Sequence, residues 1–407
     1  MTRAAAAIGI LALALSGCRN DNDGDGAGSS IDLGSLLTST GALAGIGSDM
    51  LRAVDLAVTE VNDAGGLLGG KMVTLVNQDD GTDEGLAGAA AQAHVDNGIT
   101  AFVGAVGSGF SLAAADIATP TGVVMISPSS TSPTLSEYAD DGYFFRTCPS
   151  DALQATLMAQ RALASGVTTA AIVHVPGAYG EGMADFFEST FTGGGGTITS
   201  KVEYVEGQTD YIQLWNGIFA DNPEVVAMPV YPTDGAQMMN DYLGSFATQG
   251  ATFYFADALA NDDFVDLVGA ANFTFEHEGT APSFAGPEAA HFDGVYSDAH
   301  GDSPGAFLGN AYDAAMLIML AIEAGGGDDG ASIRDNLQAV SAGGTAYGAK
   351  DLADLIAAAG AGEDVNYEGA SSSVDFEDNG DIIAPYDIWK VGTNGVQVTE
   401  EGVAPSR

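Results

Sequence analysis

From Ile31 onward, apolar runs of strand length alternate with segments whose apolar residues recur every three to four positions. That rhythm belongs to parallel sheets wrapped by helices. Leu51, Val54, Val58 and Val61 make one helix face, and Gly65-Gly66 ends it. Met72 to Asn77 reads as a strand, Glu84 to Asp96 as a helix, and Ala101 to Gly104 and Val123 to Ser127 as strands. After Pro149 the rhythm restarts with a helix from Asp151 to Ser165. Strands then follow at Ala170 to His174, Ile198 to Tyr204, Val225 to Pro229 and Thr252 to Phe255. Two sheets accommodate this restart more naturally than one. His277 to Pro304 reads as a looser connection ending in a helix near His291 to Ala299, and Asn310 to Ala324 as a strong helix. Val374 to Asp381 and Tyr386 to Val391 read as two strands joined at an Asn-Gly turn.

Charge excludes several functions. The 407 residues carry 11 Lys+Arg against 55 Asp+Glu, a formal net charge of -44, so phosphate backbones and anionic membrane surfaces are repelled and no nucleic-acid partner is expected. With 46% hydrophobic residues the acid is no sign of disorder. Two alternatives stand for it: adaptation to high salt, or a lineage that avoids lysine.

The start of the chain reads as an export signal. Arg3 precedes an apolar run from Ala4 to Leu15, too short to span a bilayer, and Ser16-Gly17-Cys18 follows. Cysteine after small residues resembles the bacterial lipobox, in which Cys18 becomes the lipid-modified N-terminus of an exported protein. Asn20 to Ser30 reads as a flexible tether. Lipid on Cys18 would be the sole tie to the membrane, and Cys148, left alone, is read as a small buried residue without a disulfide.

Catalytic motifs fail on inspection. Gly65-Gly66-Leu67-Leu68-Gly69-Gly70-Lys71-Met72 nearly fits a phosphate-binding loop, yet Met72 stands where a hydroxyl is needed and the loop follows a helix. His94, His174, His277, His291 and His300 show no metal spacing and read as surface residues, so no metal or cofactor is expected. An exported hydrolase with Ser108 as nucleophile is the rival from another class.

Polar residues do gather where open α/β sheets place ligands, beyond the carboxyl ends of strands. Ser108, Ser129, Thr131, Tyr179, Tyr231 and Asp257 all fall there. A hydroxyl and free amides near Ser108, with Thr131 opposite, suit a carboxylate, and Asp257 suits an ammonium. Each also has a plain alternative: Ser108 and Asp257 as helix caps, Thr131 as a turn former, the tyrosines as sheet-edge packing.

The ordered set Ala64 to Gly70, Asp79 to Asp83, Ser127 to Pro133, Phe145 to Thr147, Tyr179 to Gly182, Ala311 to Ala314 and Tyr386 to Trp389 resembles the type I periplasmic binding proteins, in their leucine/isoleucine/valine-binding branch. The resemblance implies an α/β fold of two Rossmann-like lobes joined by three hinge strands, closing on an amino acid and serving an ABC permease and its ATPase as a monomer without chemistry of its own. It places a signal peptide at 1–17 and a tether at 18–30. The first lobe would comprise 31–148 with 282–371, and the second 149–281 with 372–407. Crossings would fall near Thr147 to Asp151, Thr280 to Ser283 and Ser371 to Val374. By the same resemblance, Ser108 and Thr131 hold the ligand carboxylate, and the carbonyl of Ser129 joins Asp257 on the ammonium. Tyr179 and Tyr231 close from the second lobe, and Phe307 lines the side-chain pocket. Ile46 stands where the family often has an aromatic residue, and the ligand class is set more firmly than its identity: an amide, urea or an aromatic acid is the alternative, with a sensory role in place of transport.

Overall fold

The structure is a computed structural model that describes residues 30–404; the signal, Cys18 and all of the tether but Ser30 lie outside the described residues. The strands are β1 (Ile31–Leu36), β2 (Val73–Gln78), β3 (Ala101–Gly104), β4 (Val124–Ser127), β5 (Phe144–Arg146), β6 (Thr169–His174), β7 (Thr197–Glu203), β8 (Val225–Met228), β9 (Thr252–Phe255), β10 (His277–Pro282), β11 (Thr345–Gly348), β12 (Val365–Glu368), β13 (Tyr386–Gly392) and β14 (Gly395–Val403). The helices are α1 (Ala44–Asp63), α2 (Glu84–Asp96), α3 (Ser108–Ala118), α4 (Asp151–Ala164), α5 (Ala178–Gly193), α6 (Ile212–Ile218), α7 (Pro232–Ser245), α8 (Asp262–Val268), α9 (Ala289–His300), α10 (Leu308–Gly325), α11 (Gly330–Ser341) and α12 (Leu352–Gly360).

Two main sheets result. The first runs β2-β1-β3-β4-β5, all parallel. The second runs β14-β13-β10-β9-β8-β6-β7, parallel except at β13 and β14. Local sequence accounts for some of the helix starts. Asp83 accepts from the Leu86 amide at 2.9 Å to cap α2, and Ser150 accepts from the Ala152 amide to cap α4. Helix α10 is buried along its whole apolar length because α1 and α11 flank it and β3 and β4 lie beneath.

Three readings are corrected. His277 to Pro282 is not a loose connection but β10, paired with β9 on one side and β13 on the other. The terminal hairpin is β13–β14, closed by Thr393-Asn394 between Gly392 and Gly395. Residues 374–381 form no strand. Their Asn379-Gly380 turn is closed by Glu377 N donating to Asp381 O at 2.8 Å, and Phe376 packs on Phe145 at 4.9 Å between ring centroids. Asp381 pairs with Arg146 at 2.6 Å. This segment therefore lies along β5, and the third passage into the second sheet comes after it rather than near Ser371 to Val374.

Candidate functional site

Helix α3 follows β3, so Ser108 opens it with first-turn amides that have no intrahelical acceptor. Ser108 is no cap: Gly107 holds that position, and Ser108 Oγ accepts from the Ser132 amide at 3.1 Å. A serine network ties this turn to the one after β4. Ser127 Oγ donates to Ala105 O at 2.7 Å, Ser129 Oγ to Val106 O at 2.7 Å, and Ser111 and Ser130 share a bond of 2.8 Å.

The second lobe supplies the other wall. Tyr179 follows β6 at the start of α5 and donates to Asp257 Oδ1 at 2.9 Å. Its ring stacks on that of Tyr231, which precedes α7, at 5.9 Å and an interplanar angle of 1°. Asp257, after β9, also accepts from Gln154 Nε2 at 3.2 Å, while that amide donates to Thr280 O at 3.0 Å. Burial pushes the Asp257 carboxyl up to about 6 against the pull of these donors, and burial raises both tyrosine hydroxyls. Asp257 makes no side-chain cap.

A cavity of about 40 Å³ lies between the walls, lined by Ser108, Ser129, Tyr179, Tyr231, Asp257 and Phe307. Leu43, Ile46, Val106 and Pro232 complete its apolar side. At roughly 10 to 15 Å³ per water this is room for a few waters, so the lobes are drawn together. Ser132 Oγ donates across the cleft to Ala178 O at 2.7 Å. Phe307 holds a left-handed backbone, φ 64°, unusual for a bulky residue, and its ring meets Phe284 edge-on at 5.8 Å.

Thr131 is the exception among the candidate residues. It is fully buried, does not line the cavity, and its hydroxyl donates to Asp151 Oδ2 at 2.7 Å. The hydroxyl expected to meet a ligand carboxylate is thus spent behind the cavity. Sequence reasoning missed Leu43 and Pro232 as lining residues, and Asp151 and Gln154 behind Asp257. An acid opening a helix is ordinary, but Asp151 with Gln154 three positions on was the available signal. The histidine reading is also corrected: His94, His174 and His277 are buried. His94 Nε2 bonds Ser35 O at 3.0 Å and His174 Nδ1 bonds Val175 O at 3.0 Å. His277 Nε2 accepts from the Val391 amide at 3.0 Å, so its Nδ1 donates to Phe275 O at 2.9 Å. Among the described residues no His, Cys, Asp or Glu group could hold a metal ion, and no helix is long and apolar enough to cross a membrane. Cys148 is buried and free.

Beside the cavity, and sharing Leu43, Ile46 and Pro232 with it, runs a groove of about 890 Å³. Asp49, Asp293 and Asp302 face Asp262, Asp263, Asp266 and Asp387 across it.

A family model described as periplasmic binding protein matches residues 30–368. A Leu/Ile/Val-binding protein of Rhizobium johnstonii is 30% identical over 321 residues, covering 76% of this chain and 84% of that one. A chemotactic signal transduction system substrate-binding protein of Halobacterium salinarum is 28% identical over 383 residues, 92% of this chain and 90% of that one. In three dimensions the chain is similar to a leucine-binding protein of Thermotoga maritima, with a TM-score of 0.78 at 22% identity over 92% of this chain and 99% of that one.

Proposed function

The chain belongs to the type I periplasmic binding proteins of the Leu/Ile/Val-binding kind, and on that premise we propose that it is an exported solute receptor, lipid-anchored through Cys18, for a small neutral aliphatic or branched-chain amino acid. It hands that ligand to an ABC permease and its ATPase and performs no chemistry. The observation that carries the ligand class is the polarity of the cavity. Asp257 stands on one wall for an ammonium, Ser108 and the α3 amides on the other for a carboxylate, and Leu43, Ile46 and Phe307 leave an apolar remainder. Ser129 would add its carbonyl to the ammonium side, and Tyr179 and Tyr231 would cover the ligand. Thr131 would reach the carboxylate only through its backbone. Ligand contacts made to both lobes favour the closed arrangement by differential affinity.

The test is thermal melting of the purified protein against each common amino acid, urea, small amides and aromatic acids. A ligand at a hundred times its dissociation constant adds about 2.7 kcal/mol. A shift with leucine, isoleucine or valine supports the reading; a shift only with uncharged amides or aromatic acids removes the ammonium role of Asp257. A second reading, ligand sensing for a signalling partner, is favoured by the Halobacterium chemotactic relative, which matches over 92% of this chain. Copurification with permease or with a signalling transducer separates the two.

A further inference from the structure

Directly behind Asp257 the interior holds more acceptors than donors. Asp151 is fully buried, its Oδ2 is satisfied by Thr131, and its Oδ1 has no hydrogen-bond partner. One helical turn along α4, on the same face, Gln154 gives its amide nitrogen to Asp257 and Thr280 while its Oε1 is left unpartnered. Two carboxylates and an amide oxygen thus crowd one buried region, and the charges of Asp151 and Asp257 act on each other.

Among the described residues no cation bonds either carboxylate, although the charge of Arg146 acts on Asp151 from beyond hydrogen-bond reach. Arg146 on β5 gives its guanidinium to Asp381, Ser130 O, Ser132 O and Ser136. The other titratable groups facing the pair are Cys148, Tyr179 on α5 and Tyr386 on β13, with Tyr231 beyond Tyr179. All are neutral at ordinary pH, their ionisation being pushed up by burial. Two bare carboxylates buried together, with only the already paired Arg146 acting on one of them, are too costly to persist.

We infer that Asp151 is a positioning residue of the ammonium subsite, which shares one proton with Asp257 in the empty protein and gives it up when a ligand ammonium arrives. Charge balances. The empty pair with one proton carries -1, and two carboxylates with one ammonium also carry -1, the displaced proton leaving to water. The ammonium side alone therefore keeps one net negative charge through the binding cycle, the ligand carboxylate being met separately at Ser108 and the α3 amides, and a proton competes with the ligand. Below the pH at which the pair would lose its proton, amino-acid affinity falls as pH falls, by up to tenfold per unit for one linked proton. This inference rests on the proposed role of Asp257.

The experiment is calorimetric titration with L-leucine at pH 5.5 in buffers of different ionisation enthalpy, with isoleucine and valine run alongside. The expected result is release of close to one proton per leucine bound. Asp151→Asn is expected to reduce that release and to move the pH dependence of the dissociation constant toward lower pH, because Asp257 then titrates without a neighbouring carboxylate. Leucine binding without proton exchange in the wild type overturns the inference alone, as does unchanged release in Asp151→Asn. If no amino acid binds at all, the proposed ligand class falls and the inference with it.

Discussion

Thr131 and Asp151 grip each other twice: Thr131 Oγ1 donates to Asp151 Oδ2 at 2.7 Å, and the Asp151 amide donates to Thr131 O at 2.8 Å. The first residue lies in the turn after β4, the second opens α4 just beyond the passage from the first sheet to the second. The clasp thus joins the two lobes at their hinge, behind the cavity. Thr131→Val keeps the shape and removes one donor, leaving Asp151 with neither oxygen paired. The expected loss is about 1 to 3 kcal/mol, read as a lower urea midpoint at unchanged slope. An unchanged midpoint would show that the hydroxyl bond carries no net stability.

Asp257 sits at the cavity with its charge already costly, so a ligand ammonium there gains more than it would in water. Asp257→Ala removes the counter-charge, and truncation of a buried charge partner costs roughly 2 to 5 kcal/mol. Leucine affinity is expected to fall at least tenfold. Circular dichroism and the cooperative melt should persist, because Tyr179 and Gln154 lose an acceptor but no packing. Leucine binding at wild-type strength would refute the assigned role.

Legibility from sequence followed the physics of each segment. Strand Ala101 to Gly104 and helix Glu84 to Asp96 were readable to the residue, because a buried parallel strand is a closed apolar run and Asp83 is an explicit cap. β10 was not, since its Gly279 and Thr280 look like loop residues. Only the tertiary contact explains them: a Cβ on Gly279 would fall inside the Trp389 ring. The two Asn-Gly pairs near the C-terminus are locally equivalent. Phe376 and Asp381 are held by Phe145 and Arg146 instead of a ladder, and that choice lies in residues more than two hundred positions away. Ser108, Ser129, Tyr179, Tyr231 and Asp257 follow strand ends and line the cavity, whereas Phe307 came only with the family resemblance and Thr131 does not line it. Asp151 was signalled only by an acid opening α4 with Gln154 three positions on, because its unpartnered oxygen shows only in the fold.

A second buried carboxyl tests the cost of charge apart from ligand. Asp313 on α10 accepts from Tyr367 Oη and Ala370 N at 2.8 Å, and from Ser371 N at 2.8 Å and Oγ at 2.6 Å. Burial outweighs all four donors and lifts the carboxyl from 3.8 to about 6. Between those values the folded state holds more protons than the unfolded chain, so this group lowers stability as pH rises from about 4 to 6. A shift of about two units corresponds to roughly 2 to 4 kcal/mol. Asp313→Asn should remove that component: the stability lost between pH 4 and 7 is expected to be smaller in the variant. Equal pH profiles from urea titrations would contradict it.

Closure itself should depend on salt. Asp49, Asp293 and Asp302 on the first lobe face Asp262, Asp263, Asp266 and Asp387 on the second. Arg52 bonds Asp49 at 2.7 Å and Asp302 at 3.4 Å. Burial raises the Asp49 carboxyl, Arg52 opposes this, and Asp302 and Asp263 add to the rise, the last from across the groove. Drawing the lobes together therefore brings like charges closer, a cost that screening reduces as the Debye length falls from about 10 Å at 0.1 M to about 3 Å at 1 M. Leucine should bind several-fold more tightly at 1 M than at 0.1 M KCl, the reverse of a contact between opposite charges. Asp263→Asn should flatten that dependence, whereas Asp354→Asn, on α12 outside the groove, should leave it in place. If both variants keep the wild-type slope, general salting-out rather than repulsion across the groove governs the response, since only a local repulsion distinguishes Asp263 from any other surface acid.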